Sequence, residues 1–270
     1  MYTDAFAFPV ATLGHSLALT NTTARKILMY LPNKVSAEAL CIARAGGWEL
    51  NPVPFIQPPH GGAGTGYRFG DQYTKLNLWG LDQIGVKAAV YLDADTLVRR
   101  PFEELFALPF DFAAVPDVFV ADRRGGFKLG FNAGVLFLRP SNATLWQMLD
   151  NLDRAVFPPF EAEQAFLNVF FAADAVRLPY VYNGNLAIKL RNPAMWTAIR
   201  DELRVVHYTS VKPFDVFNGV QTRDSIRKVL KKRKGKKGGL FREEIGWWED
   251  AWTELLTVPA LHECFESEAW

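Results

Sequence analysis

Apolar residues along this chain alternate between short continuous runs and stretches in which they recur every three or four positions. The first pattern reads as buried strand and the second as amphipathic helix. Residues 7–19 are expected to be helical, followed by a strand at Lys26–Leu31. Ser36 then stands as an N-cap for a helix over Ser36–Ala45, which stops at Gly46-Gly47. Trp48–Phe55 reads as a strand. A Gly/Pro-rich loop follows ("IQPPHGGAGTGYRFGDQ"), long enough to suggest a functional rim; its glycines miss both the dinucleotide and the P-loop patterns. Tyr73–Ile84 is amphipathic, with Leu76, Trp79 and Gln83 roughly on one face. Ala88–Leu92 reads as a short buried strand. "RPFEELFAL" is a short helix with Pro101 in its first turn. Phe112–Val115 and Gly134–Leu138 are further strands, Ser141 caps a helix beginning near Leu145, and Glu161–Phe171 is another helix. Arg204–Val206 is a last strand ending at His207. Strands alternating with helices predict an α/β fold with helices against a mostly parallel central sheet.

Composition narrows this reading without redirecting it. At 270 residues, 49% hydrophobic and 22% charged, the chain has the make-up of an ordinary globular protein. Its formal net charge of +1 gives no bulk attraction to nucleic acid or anionic membrane. No apolar run nears the roughly 18 residues that span a bilayer, and the N-terminus lacks the basic and apolar regions of a signal peptide. A cytoplasmic location is therefore expected. Cys41 and Cys264 form no metal spacing and are expected as two free thiols in a reducing compartment. Asn21-Thr22-Thr23 and Asn142-Ala143-Thr144 fit the N-glycosylation sequon, and in that compartment both would be coincidences. The run "RKVLKKRKGKKGG" at 227–239 reads as a solvated linker, because no aromatics interleave as they would for nucleic acid. Beyond it, Trp248, Trp252 and Leu255 form an apolar stripe expected to dock on the main domain.

The stretch "AVYLDADTLV" raises a chemical question. Asp93 and Asp95 stand where an apolar strand stops, which is where ligands collect in open α/β sheets. Their side chains at i and i+2 point the same way and repel, unless a cation lies between them or one takes a proton. They are a candidate metal pair, although Asp-x-Asp alone is weak.

The wider context is more specific. "TKLNLWGL", "DTLVRRPFEELF", "FNAGVLFLRPS", "EQAFLNVFF", "LPYVYNGN" and "VVHYTSVKPF" occur in that order across residues 74–214. Together they resemble glycosyltransferase family 8, the group containing glycogenin, galactinol synthase and bacterial lipopolysaccharide galactosyltransferases. The resemblance implies a GT-A type nucleotide-diphospho-sugar transferase fold over residues 1–220, ahead of the basic linker at 221–239 and a C-terminal amphipathic helix at 240–270. It implies a nucleotide-sugar donor, usually UDP-linked, and transfer with retention of configuration. Asp93 and Asp95 would hold Mn²⁺ (or Mg²⁺) against the donor diphosphate, flanking Ala94, with His207 as third ligand. Carboxylates suit such hard ions, and Mn²⁺ also accepts imidazole nitrogen. Lys212 and Lys75 match the family's donor-site lysines, and Asn132 and Gln164 match positions near the transferred sugar. Glu163 stands where glycogenin-like members carry Asp, as sugar ligand or as stabiliser of an oxocarbenium-like state. Asp117 is a further candidate for the sugar pocket.

Two further departures shape the expectation. The family's opening strand has no counterpart before "YTDAF", which matches only the turn that follows it, with Phe6 standing where the family has an aromatic near the nucleotide, without its hydroxyl. After "VYNGN" the chain reads "LAIKLRNP", without the tyrosine on which glycogenin builds its primer. "YNGNLAI" and "HYTSVKPF" are closer to the galactinol-synthase side, pointing to a small polyol or sugar acceptor. The partners expected are thus the nucleotide-sugar donor and an acceptor, with no nucleic acid and no membrane span; a homodimer is an open option. A haloacid-dehalogenase-type phosphatase fits poorly, since Thr96 comes three residues after Asp93 and not four. The alternative function is a catalytically impaired relative that binds nucleotide sugars or partners.

Overall fold

A computed structural model of the chain describes residues 1–66, 69–118, 130–217 and 219–265. The strands are β1 (Ile27–Tyr30), β2 (Glu49–Pro52), β3 (Ala89–Leu92), β4 (Thr96–Val98), β5 (Phe112–Pro116), β6 (Phe131–Leu138), β7 (Val176–Arg177), β8 (Gly184–Asn185) and β9 (Val205–His207). The α-helices are α1 (Ala7–Leu19), α2 (Ala37–Ala45), α3 (Asn142–Leu152), α4 (Ala162–Phe170), α5 (Leu186–Arg191), α6 (Pro193–Ile199), α7 (Arg223–Lys234), α8 (Arg242–Leu255) and α9 (Pro259–His262). A long 3₁₀-type segment covers Gly70–Ile84, where an amphipathic helix was expected. Its Leu76 and Trp79 are buried, whereas Gln83 is exposed. The fold class is α/β, with helices against sheets. Pairing is mixed: parallel at β1–β2, β5–β7 and β8–β9, antiparallel at β3–β6, β5–β6 and β4–β9.

The chain forms two compact units. One comprises Met1–Pro52, Asp93–Pro101 and Gly184–Trp270. In it α1 and α2 pack through glycine: a methyl on Gly14 would stand 2.4 Å from the Gly46 carbonyl oxygen. Trp48 seals the contact by donating its indole N–H to the Val10 carbonyl at 2.8 Å. The main chain of Met1 runs beside β1, its amine donating to Met29 and its carbonyl accepting from Leu31. The C-terminal stripe lies inside, with Trp248, Trp252 and Leu255 all buried. The basic run is not the linker the composition suggested. Thr222 caps α7, and Ile226 and Leu230, four apart, are both fully buried. The two cysteines are not free thiols either. Cys41 on α2 and Cys264 are joined in a disulfide, with Cα atoms 5.7 Å apart.

The second unit comprises Val53–Leu92 and Phe102–Asn183. Its sheet runs β3-β6-β5-β7. The strand sealed on both faces is β6, every residue of which is buried, while β3 is half-buried. Trp79, Phe112 and Phe171 stack beside it, the two phenylalanines with centroids 4.1 Å apart. Ser141 caps α3 by accepting from Thr144 N–H at 3.3 Å. Among the described residues, no helix is long and apolar enough to cross a membrane.

Candidate functional site

Asp93 and Asp95 sit in the turn between β3 and β4, and the turn is held by its own main chain. Thr96 donates both its N–H, at 3.0 Å, and its hydroxyl, at 2.7 Å, to the Asp93 carbonyl. Antiparallel pairing of β4 with β9 sets Thr96 opposite His207, and the Tyr208 N–H donates to the Asp95 carbonyl at 2.9 Å. That register brings the His207 imidazole onto the carboxylates. Its Nε2 lies 3.3 Å from Asp95 Oδ1 and 3.9 Å from Asp93 Oδ2. One ligand atom from each of the three residues falls within 4.8 Å of the others.

Lys212 closes the cluster, pairing with Asp95 Oδ2. It lies in a loop whose Phe214, two residues on, is buried between Phe6 and Trp248, with ring centroids 5.8 and 5.9 Å away. Burial alone would push the Asp95 carboxyl up. The charges of Lys212 and His207, with their hydrogen bonds, outweigh it and hold the carboxyl well below the usual carboxylate range. Ala94 turns the other way and packs with Trp48 and Leu50 against Val10, Leu28 and Ala43. This donor set fits a divalent cation, since two carboxylates and one imidazole supply hard oxygen and borderline nitrogen. Without a cation, the like charges of Asp93 and Asp95 lean on Lys212 and His207.

The second unit brings the other candidates together around the start of β6 and the start of α4. Gln164 accepts from Asn132 Nδ2 at 3.2 Å and from the Ala133 N–H at 3.0 Å, and donates to Asp117 at 3.1 Å. Lys75 pairs with Glu163 at 2.6 Å and donates to the Ala133 carbonyl at 3.2 Å. Just before Glu163, Ala162 adopts φ 51°, ψ −139°, a conformation that costs a non-glycine residue about 1–3 kcal/mol. Two residues missing from the expectation belong here as well. Asn183 donates to Asn132 Oδ1 at 2.9 Å, and Asn168 exchanges hydrogen bonds with both main-chain groups of Phe131. The signal for Asn168 was present, since it follows Gln164 by four positions on one helix face. A groove of this unit beside Phe55 and Trp146 is lined by none of the candidate residues.

Similarity to known proteins gives the family of the chain. Residues 67–215, more than half of the chain, match Glycosyl transferase family 8. The chain belongs to that family. This family 8 chain is 30% identical over 241 residues to Glycogenin-1 of Caenorhabditis elegans, covering 84% of its own length and 52% of the worm protein. To Galactinol synthase 3 of Arabidopsis thaliana it is 30% identical over 218 residues, covering 70% of its own length and 59% of that protein. It thus spans about half the length of these relatives. Its GT-A type fold is shared with the galactosyltransferase LgtC, solved with donor and acceptor sugar analogs, at a TM-score of 0.62 and 19% identity, covering 95% of each chain.

Proposed function

We propose that the protein is a metal-dependent, retaining hexosyltransferase that moves a sugar from a UDP-linked donor to a small polyol or sugar acceptor. The observation that carries this reading is the convergence of Asp93, Asp95 and His207, with Lys212 beside them. When the bond from the sugar's anomeric carbon to the diphosphate breaks, negative charge grows on the leaving oxygen. A divalent cation, Mn²⁺ or Mg²⁺, would supply positive charge there when bound by the two carboxylates and the imidazole. Lys212 would add a second positive charge from its loop, and charge stabilisation of this kind acts most strongly in the transition state.

On the sugar side, Asn132, Gln164 and Asp117 form a connected set of donors and acceptors of the kind that suits hydroxyl groups. In this reading Glu163, paired with Lys75, stabilises the developing positive charge on the ring.

Calorimetry of UDP binding with and without Mn²⁺ tests the reading. Binding is expected to depend on the metal and to be lost in Asp95→Asn, and metal-independent binding that survives this substitution would overturn it. Screening slow donor hydrolysis across UDP-glucose, UDP-galactose and UDP-N-acetylglucosamine then identifies the sugar. Hydrolysis of none of them, with metal-dependent UDP binding intact, would favour a nucleotide-sugar-binding relative without transferase activity.

A further inference from the structure

The disulfide and one unused sequence motif point to the same compartment. Both cysteines of the chain are consumed in the Cys41–Cys264 bond, across a sequence separation of 223. Structural disulfides of this kind form and persist where thiols are oxidised, chiefly in the secretory path. The chain also carries Asn21-Thr22-Thr23 in the turn that ends α1. Asn21 is exposed and holds φ 57°, a left-handed conformation that asparagine tolerates better than most residues. Its main-chain N–H is spent on the Ala18 carbonyl at 3.0 Å, and its side-chain amide has no hydrogen-bond partner among the described residues. Thr23, which supplies the hydroxyl of the sequon, is exposed too. The second sequon differs. Asn142 is half-buried as the first residue of α3, its N–H bonded to Asp82 at 2.8 Å, and Thr144 is tied into the Ser141 cap.

We infer that this chain folds in an oxidising secretory compartment and carries an N-linked glycan on Asn21. Both reactions there need a named co-reactant. The two thiols lose two electrons and two protons to a protein disulfide, which is reduced to its dithiol. At Asn21, a bond forms between Nδ2 and C1 of the first sugar of a lipid-diphosphate-linked oligosaccharide. The C1–O bond to the diphosphate breaks, the lipid diphosphate leaves, and the amide proton passes to a base of the oligosaccharyltransferase. The glycan projects from the turn into solvent, so it disturbs no packed surface of α1.

The test uses the protein isolated from its native cells. Digestion with a peptide-N-glycosidase should increase its gel mobility and convert Asn21 to Asp in the peptide mass spectrum. Alkylation should label neither cysteine until the protein is reduced. Because Asn21 holds a left-handed backbone, Asn21→Gln is paired with Thr23→Ala, which destroys the sequon and leaves that residue in place. Each should remove one glycosidase-sensitive step, while Asn142→Gln leaves that step present. No mobility change, a change abolished only by Asn142→Gln, or two cysteines that alkylate before reduction would each overturn the inference.

Discussion

Lys75 and Glu163 meet at 2.6 Å with side chains only 8% and 3% exposed, so each supplies charge compensation to the other away from bulk water. Removing one partner of such a pair strands the other charge, at a cost of about 3–5 kcal/mol. Lys75→Met should therefore lower stability by that order in urea unfolding. Replacing both, as Lys75→Met with Glu163→Leu, should recover most of the loss; a double variant as unstable as the single would show that the pairing is not the cause. At this scale the sequence named Asp93, Asp95, His207, Lys212, Asn132 and Gln164 as candidates, because each lies in one of the short motifs that carry the resemblance to family 8. It did not name Asn183. Its bond to Asn132 joins residues 51 positions apart, and no local pattern announces such a contact.

Helices and their ends were more legible than sheets. Ser36 and Ser141 announce their helices by accepting the N–H three residues on, a signal contained in four consecutive letters. Strand direction has no such local signal. Whether β6 runs parallel or antiparallel to β3 is decided by residues about fifty positions away, so the expected parallel sheet gave way to mixed pairing. At α7 a local signal was present and was outweighed by charge. Leu230→Ala should cost about 2–5 kcal/mol, as for a buried leucine. Lys231→Glu on the exposed face should change stability by less than about 0.5 kcal/mol. A solvated linker would show neither loss, so chemical denaturation of the two variants separates the pictures. The α1–α2 contact gives a test of opposite intuition. Ala is favoured over Gly inside a helix by about 1 kcal/mol, yet Gly14→Ala should destabilise, because its methyl meets the Gly46 carbonyl and the Trp48 indole at 2.4 Å. A raised thermal midpoint for this variant would refute the steric argument.

On the scale of the whole chain, the Cys41–Cys264 bond closes a loop across 223 positions. In the chain-entropy view, closing so long a loop stabilises the folded state by about 5 kcal/mol, and measured disulfides more often give about 2–4 kcal/mol. Reduction, or Cys41→Ser with Cys264→Ser, should lower the thermal midpoint by roughly 5–15 °C. An unchanged midpoint would mean that the C-terminal segment is held by packing, through Leu261 and the stacking of Phe265 on Phe8, and not by the covalent link. Two cysteines so far apart offer no spacing from which pairing could be read, which is why the sequence left them as thiols.

The pairing of Lys212 with Asp95 joins groups separated by 117 positions, and β9 delivers the imidazole from the same late stretch. Synthesis therefore imposes an order on the chemistry. At about 5–20 residues per second, the carboxylate pair waits roughly 6–25 s after it is made before its histidine and lysine are translated. Throughout that interval Asp93 and Asp95 have neither compensating group available. In the proposed function, assembly of the full ligand set therefore waits for synthesis of His207, and a nascent chain that stops before it would carry the acidic pair without its imidazole and lysine partners.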